Sequence, residues 1–252
     1  MIFTVLSPSC IYRIAGRRGS VECGGMMEQQ EPISSSYAKN DTWRLRRSLL
    51  LSVLFVAVLW SIKLTDVLLG LNLIQYGIYP GELSGLWGIL WAPLIHGSVQ
   101  HLIANTLPVI ILLTTLLYGY PKSARIVLLC LYVGTGVGVW LFARSAYHIG
   151  ASSLTFGLMF FIFTIGALRW DKRAIALSSM VFFLYGGMVW GVLPRDPTVS
   201  FESHFFSAVI GIVLAFILKN IDSPLPEKKY RWEGEDEMEQ DEIREEEWNL
   251  KE

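Results

Sequence analysis

Six apolar runs, each about as long as a helix needs to cross a hydrocarbon core, leave this chain few folds to choose from. Their limits are 48–69, 102–119, 126–143, 151–168, 174–193 and 202–218. Lipid offers no partner to a backbone N–H or C=O, so runs of this length must satisfy their main chain internally, as helices. The fold expected is an all-α membrane protein, a six-transmembrane-helix bundle over residues 48–219. A cytosolic N-terminal segment, 1–47, precedes it and an acidic cytosolic tail, 220–252, follows. The stretch from Gly70 to His101 is too rich in Gly, Trp and Pro for one helix. It is also too apolar, through Leu86, Trp87, Ile89, Leu90 and Trp91, for a free aqueous loop. It reads as a first outer loop lying partly in the membrane interface, where Trp and Tyr are favoured.

Charge decides the orientation. Lys39, Arg44, Arg46 and Arg47 precede the first span, Lys122 and Arg125 lie between the second and third, Arg169, Lys172 and Arg173 between the fourth and fifth, and Lys219, Lys228, Lys229 and Arg231 after the sixth. The other side carries little beyond Arg144 and Arg195, and Lys63 can snorkel out of the first span. Short basic connections stay in the cytosol, so both termini are cytosolic and the 70–101, 144–150 and 194–201 connections face outside. The segment from Glu233 to Glu247 holds ten acidic residues and one Arg, and reads as a solvated, disordered tail. Opposite signs nearly cancel over the whole chain, at a net −1, which gives no reason to expect a nucleic-acid partner. Cys10, Cys23 and Cys130 are odd in number and far apart, so they suggest neither a disulfide framework nor a metal cluster. No cofactor or metal is implied. The opening Met1 to Leu6 is too short for a signal-peptide core, and Met26 or Met27 is a plausible start, with residues 1–25 an upstream extension. The compact plan without a targeting segment points to a bacterial or archaeal plasma membrane.

Polar side chains inside apolar spans are costly and mark function. Here they fall at three places. His101 and Asn105, four residues apart at the start of the second span, share a helical face. Ser152 opens the fourth span after Gly150-Ala151, at a helix N-terminus, where free N–H groups and the dipole favour developing negative charge. His204, near the outer end of the sixth span, is followed by Ser207, Ala208 and Gly211, a stripe of small residues that lets another helix approach closely. By the orientation above, all three lie at the outer ends of their spans. Together they supply what acyl transfer needs: Ser152 as nucleophile, His204 as base, and His101, Asn105 and the Ser152 N–H as donors to an oxyanion. No intramembrane Asp offers itself as a third member.

Taken in order, these residues resemble the rhomboid family of intramembrane serine proteases. His96 to Asn105 fits H-x4-H-x3-N, Gly150 to Ser153 fits G-x-S-x, and His204 with its small residues fits the sixth-span pattern, the resemblance covering residues 48 to 218. It implies a six-helix fold with a Ser152–His204 dyad in a water-accessible cavity and an oxyanion site of His101, Asn105 and the Ser152 N–H. It also implies that Phe156 packs against the base. Ser153 stands where Gly is usual, Ser207 replaces the first small Gly after the base, and Phe156 stands where Tyr is common.

Several residues have plainer readings. His96 points about 140° away from His101 on a continuous helix, which suits bracing the outer loop. His148 lies in a connection with no partner in view and reads as a solvated loop histidine. Ser153 differs in direction from Ser152 by about 100°. Gly134 and Gly138 form a packing GxxxG. Pro108 is expected to bend the second span below Asn105 and shape the cavity. The 194–201 connection, with Pro194 and Pro197, is a candidate cap, and span five a candidate lateral gate. The function expected is an endopeptidase that cuts membrane-protein substrates in or near the bilayer. The rivals are an inactive relative that binds membrane clients and a small transporter using the intramembrane polar residues.

Overall fold

The structure, a computed structural model, describes residues 33–194 and 199–222, with side chains from Asn40 onward. The proposed start at Met26 or Met27, Cys10, Cys23, Arg195, Pro197 and residues 223–252 of the acidic tail lie outside the described residues. Two compact units are present, Met1–Arg46 and Arg47–Glu252, and everything below concerns the second.

Its elements are almost entirely helical. The first helix, α1, runs Ile33–Leu69. Short 3-10 turns at Leu73–Tyr76 and Leu83–Leu86 lead to α2 (Gly88–Trp91) and a further 3-10 turn, Ala92–Leu94. Then come α3 (Val99–Gly119), α4 (Ala124–Leu129), a π-helical turn at Cys130–Gly134, and α5 (Thr135–Phe142). The chain continues through α6 (Ser152–Arg169), α7 (Lys172–Tyr185) with a 3-10 extension Gly186–Val192, and α8 (Phe201–Leu218). Six of these stretches are long and apolar enough to cross a membrane: Asn40–Leu69, Val99–Gly119, Ala124–Phe142, Ser152–Arg169, Lys172–Val192 and Phe201–Leu218. The sequence-derived limits agree with them within a few residues, except that α1 begins well before its apolar run. The interloop segment is irregular, as its Gly and Pro content predicts, and it turns Leu83, Trp87 and Trp91 outward.

The bundle is built around α6, 61% of which is buried, against 17% to 50% of the other spans. Small residues let its neighbours close in. A Cβ on Gly211 of α8 would run into the main-chain oxygen of Gly157 on α6, so only glycine permits that backbone approach. Gly166 of α6 packs against the Ser178 side chain of α7, where a Cβ would lie 2.3 Å from the Ser178 Cβ. The GxxxG of the third span does pack, Gly134 against Ile210 and Gly138 against Phe206, both on α8. His204, Ser207, Ala208 and Gly211 are all buried, so the small stripe forms the inner face of α8. Pro108 sits within an unbroken helix assignment from Val99 to Gly119.

The Gly211 contact yields a prediction. In Gly211→Ala the new methyl meets main chain, which cannot rotate away, so α6 and α8 must separate. Overpacking of this kind costs about 1–3 kcal/mol, and the expected result is a lower thermal midpoint in detergent. An unchanged midpoint would show that the helices have slack at this crossing.

Lys63 does not snorkel to water. It is buried, and its Nζ donates to Asp66 Oδ2 at 2.8 Å and to the Gly97 carbonyl at 3.3 Å, while Asp66 Oδ1 accepts the Leu73 N–H at 3.0 Å. A charge at the end of an apolar helix finds a partner one turn away more readily than it reaches solvent when that partner is offered. The pair thereby ties α1 to the loop that carries His96.

Candidate active site

Ser152 owes its place to the glycine two residues before it. Gly150 has φ +108°, a conformation that L side chains rarely adopt, and a Cβ there would lie 2.8 Å from Cε1 of His101. Its N–H donates to the Ala92 carbonyl at 2.8 Å, which fixes where the chain turns into α6. Ala151 is the N-cap and Ser152 the first helical residue, so the N–H groups of the first turn have no intrahelical acceptors.

His204 arrives from α8, whose N-cap Ser200 accepts the Ser203 N–H. Its Nε2 lies 2.9 Å from Ser152 Oγ, and its Nδ1 lies 3.0 Å from the Gly191 carbonyl oxygen. A carbonyl can only accept, so Nδ1 carries the ring proton and Nε2 keeps the lone pair that receives the serine O–H. The Gly191 carbonyl is available for a local reason. It lies near the end of the 3-10 segment Gly186–Val192, where the donor three residues on would be Pro194, which has no N–H. The Phe156 ring is stacked on the imidazole, with centroids 3.9 Å apart and planes within 3° of parallel, and restricts the ring plane. Sequence reasoning sought the third group among carboxylates, and a main-chain oxygen has no residue signature.

His101 lies beside Gly150, at the mouth of the α6 N-terminus. Asn105 is buried and its Nδ2 donates to the His101 carbonyl at 3.0 Å. One amide hydrogen is thus committed to its own helix and the second is left for other acceptors. His96 is not on a helix continuous with His101, because Ser98 caps α3 and Val99 starts it. The 140° separation therefore does not apply. Instead the His96 ring meets His101 edge-on with centroids 5.1 Å apart, and its Nε2 accepts the Ala151 N–H at 3.3 Å. His96 lies outside the spans, and burial, followed by the neighbouring His101, pushes its pKa down to about 4. Ser153 is turned away from His204 and lines a cavity of about 20 Å³ with Ala92, Pro93, Thr135, His148 and Ser203, room for about one water.

His148 is not a solvated loop histidine. It is 2% exposed, with Nδ1 2.6 Å from Ser200 Oγ and Nε2 3.0 Å from the Arg144 carbonyl. Its main chain exchanges two hydrogen bonds with Ile78. Arg144 adds a bond to the Val199 carbonyl and a 3.7 Å contact with Glu202. This cluster fastens the connection before Ser152 to the start of the helix that carries His204. Its only trace in the sequence is polar residues on either side of a span, which do not reveal that they meet.

The Rhomboid domain family matches residues 83–221. The chain belongs to the rhomboid family. Among individual proteins, this rhomboid is 32% identical over 225 residues to an uncharacterized protein of Mycobacterium tuberculosis, an alignment covering 85% of this chain and 90% of that one. It is 34% identical over 190 residues to an uncharacterized protein of Mycobacterium leprae, covering 70% and 72%. RHOMBOID-like protein 2 of Arabidopsis thaliana is 27% identical over 155 residues, 59% of this chain and 45% of that protein. His96, His101, Asn105, Gly150, Ser152, Phe156, Gly191 and His204 all fall inside the matched residues.

Proposed function

We propose that this rhomboid is a serine endopeptidase that cleaves transmembrane or membrane-proximal segments of other membrane proteins. The observation that carries the reading is the chain of contacts from Ser152 Oγ to His204 Nε2 and from His204 Nδ1 to the Gly191 carbonyl, in a tautomer ready to accept a proton. Ser152 Oγ attacks the scissile carbonyl carbon as His204 Nε2 takes its proton. The resulting imidazolium is held by the Gly191 carbonyl and the Phe156 face. The tetrahedral oxyanion is met by the Ser152 N–H, His101 and the second Asn105 amide hydrogen, an arrangement worth about 10²- to 10³-fold per donor where it has been measured. His204 then returns the proton to the leaving amine, and repeats the cycle with water to release the acyl group. A substrate helix must unwind at the cut, because its carbonyls are otherwise bonded within the helix, so helix-breaking residues belong near the scissile bond. The basic connections support an orientation with both termini in the cytosol and the dyad toward the outer face of the cell membrane.

Two measurements on purified protein in detergent or liposomes test the reading: cleavage of a transmembrane reporter and labelling by a fluorophosphonate serine probe. The expected result is a single labelled serine, mapped to Ser152 by peptide sequencing, with reporter cleavage lost in proportion to labelling. Failure to label and to cut several reporters would transfer the protein to the client-binding class.

A further inference from the structure

At the end of the bundle opposite the dyad, between the last turn of α3, the last turn of α6 and the start of α7, lies a narrow cleft. Tyr120, Arg169, Asp171, Arg173, Ala174 and Leu177 line it. Two polar atoms of its lining residues are buried without a hydrogen-bond partner among the described residues: the Tyr120 hydroxyl and Arg173 Nε. Tyr120 is 2% exposed. Buried orphans of this kind cost stability unless something outside the chain satisfies them. Both can donate, and Arg173 Nε can do nothing else.

The neighbouring acceptors are already engaged. Asp171 Oδ2 accepts from Arg169 Nε at 2.9 Å and Oδ1 from the Ala174 N–H at 2.9 Å. Arg173 spends Nη2 on the Tyr118 carbonyl at 2.7 Å and lays its guanidinium over the Tyr118 ring, 4.3 Å from the centroid, which leaves Nε without a partner. The lining sets two guanidinium groups against the Asp171 carboxylate; Asp222 adds a second carboxylate near Tyr120, its oxygens already accepting the Lys122 and Ser123 N–H groups, and the N-terminus of α7 adds its dipole. Burial pushes the Tyr120 phenol up to about 12, so it remains a donor at any physiological pH. The enclosed part measures about 10 Å³, the room of a single oxygen atom rather than of a whole ligand. The cleft opens where apolar spans end, and Trp170, 78% exposed between α6 and α7, marks the level at which headgroups lie.

We infer that the Tyr120–Arg169–Arg173 cleft binds a phosphate group, one oxygen entering between the Tyr120 hydroxyl and Arg173 Nε while the others stay at the mouth. A phospholipid headgroup and free phosphate both present this chemistry. Arginine forks suit it, and basic clefts between membrane helices are a recurrent setting for lipid phosphates. The site is independent of the protease reading, because none of its residues approaches Ser152.

The full chain is purified in a maltoside detergent, which carries no phosphate, and its thermal midpoint is followed while dioleoyl phosphatidic acid, dioleoylglycerol or inorganic phosphate is added. Phosphatidic acid raises the midpoint and dioleoylglycerol, with the same tails, does not. Tyr120→Phe and Arg173→Gln each weaken the apparent affinity by about tenfold or more, the scale of one lost charge-assisted hydrogen bond. Tyr120→Phe also serves as the folding control, since deleting an unsatisfied hydroxyl leaves the lipid-free midpoint equal or higher. A matching shift from inorganic phosphate, with the same variant sensitivity, makes the free anion the ligand; a shift from the lipid alone makes it the headgroup. If neither phosphate source shifts the midpoint, or the shift is the same in both variants as in the wild type, the cleft holds only water and the inference fails.

Discussion

Ser152→Ala and His204→Ala each lower kcat/KM for a transmembrane reporter by about 10⁴-fold or more, and the double variant loses little beyond either single one, the behaviour of residues that act as one unit. The geometry gives the reason. Ser152 Oγ has one basic atom at 2.9 Å, His204 Nε2, and among the described residues no carboxylate or lysine is bonded to it to take over that proton. Without His204 the hydroxyl is a weak nucleophile, and without Ser152 the imidazole activates only water, which no longer attacks from a fixed position. Some rate above the uncatalysed reaction persists in both, because the α6 N-terminus, His101 and Asn105 still favour the oxyanion. The check is single-turnover cleavage in liposomes with a thermal melt to establish that each variant is folded. Additive losses, or a His204→Ala enzyme within tenfold of wild type, would remove the dyad from the mechanism.

Acidification from pH 7 to pH 4 costs the fold about 3 kcal/mol through His96 alone. Its ordinary pKa of 6.5 is pushed down to about 4 in the folded protein. Below 6.5 the unfolded chain takes up a proton that the folded chain refuses, so this contribution is fully present above pH 6.5. It fades as pH falls through the interval and is exhausted near pH 4. The neutral ring is needed structurally as well, since Nε2 accepts the Ala151 N–H at 3.3 Å and a protonated ring has no lone pair there. His96→Gln keeps an acceptor and cannot titrate. The expected result is that the variant's thermal midpoint falls less between pH 7 and pH 4.5 than the wild type's, with the two converging in shape above pH 6.5. Parallel curves across the whole range would remove His96 as the source of the acid sensitivity.

Most of what could be read from the chain was readable because lipid is a strict solvent. The spans declared themselves through length and apolarity, and the catalytic candidates through being polar where polarity is costly. Ser152 and His204 meet, as the orientation of the spans and the family resemblance led one to expect, and Phe156 stacks on the imidazole as the resemblance implied. The misreadings share another cause. Lys63, His148 and His96 were judged by what lay next to them in sequence, yet the partners that settle their roles are Gly97, Ser200 and Ala151, the last two 52 and 55 residues away. Asp66 stood one turn from Lys63 and was the one legible clue to a buried pair. The Gly191 carbonyl was beyond reach altogether, because every residue has a carbonyl and only tertiary structure says which one is spare.

That carbonyl also changes how the base can be lost. An aspartate in its place is removed by a single codon change, and it has a charge that salt and pH can modulate. A main-chain oxygen offers neither route directly: any residue at 191 carries it, it stays neutral at every pH the protein survives, and a side chain at 191 acts on it only by displacing the segment, since a Cβ there would lie 2.5 Å from the Phe156 ring. Ring orientation in His204 therefore depends on the path of residues 186–194, and whatever bends that path governs the chemistry without touching either reacting side chain.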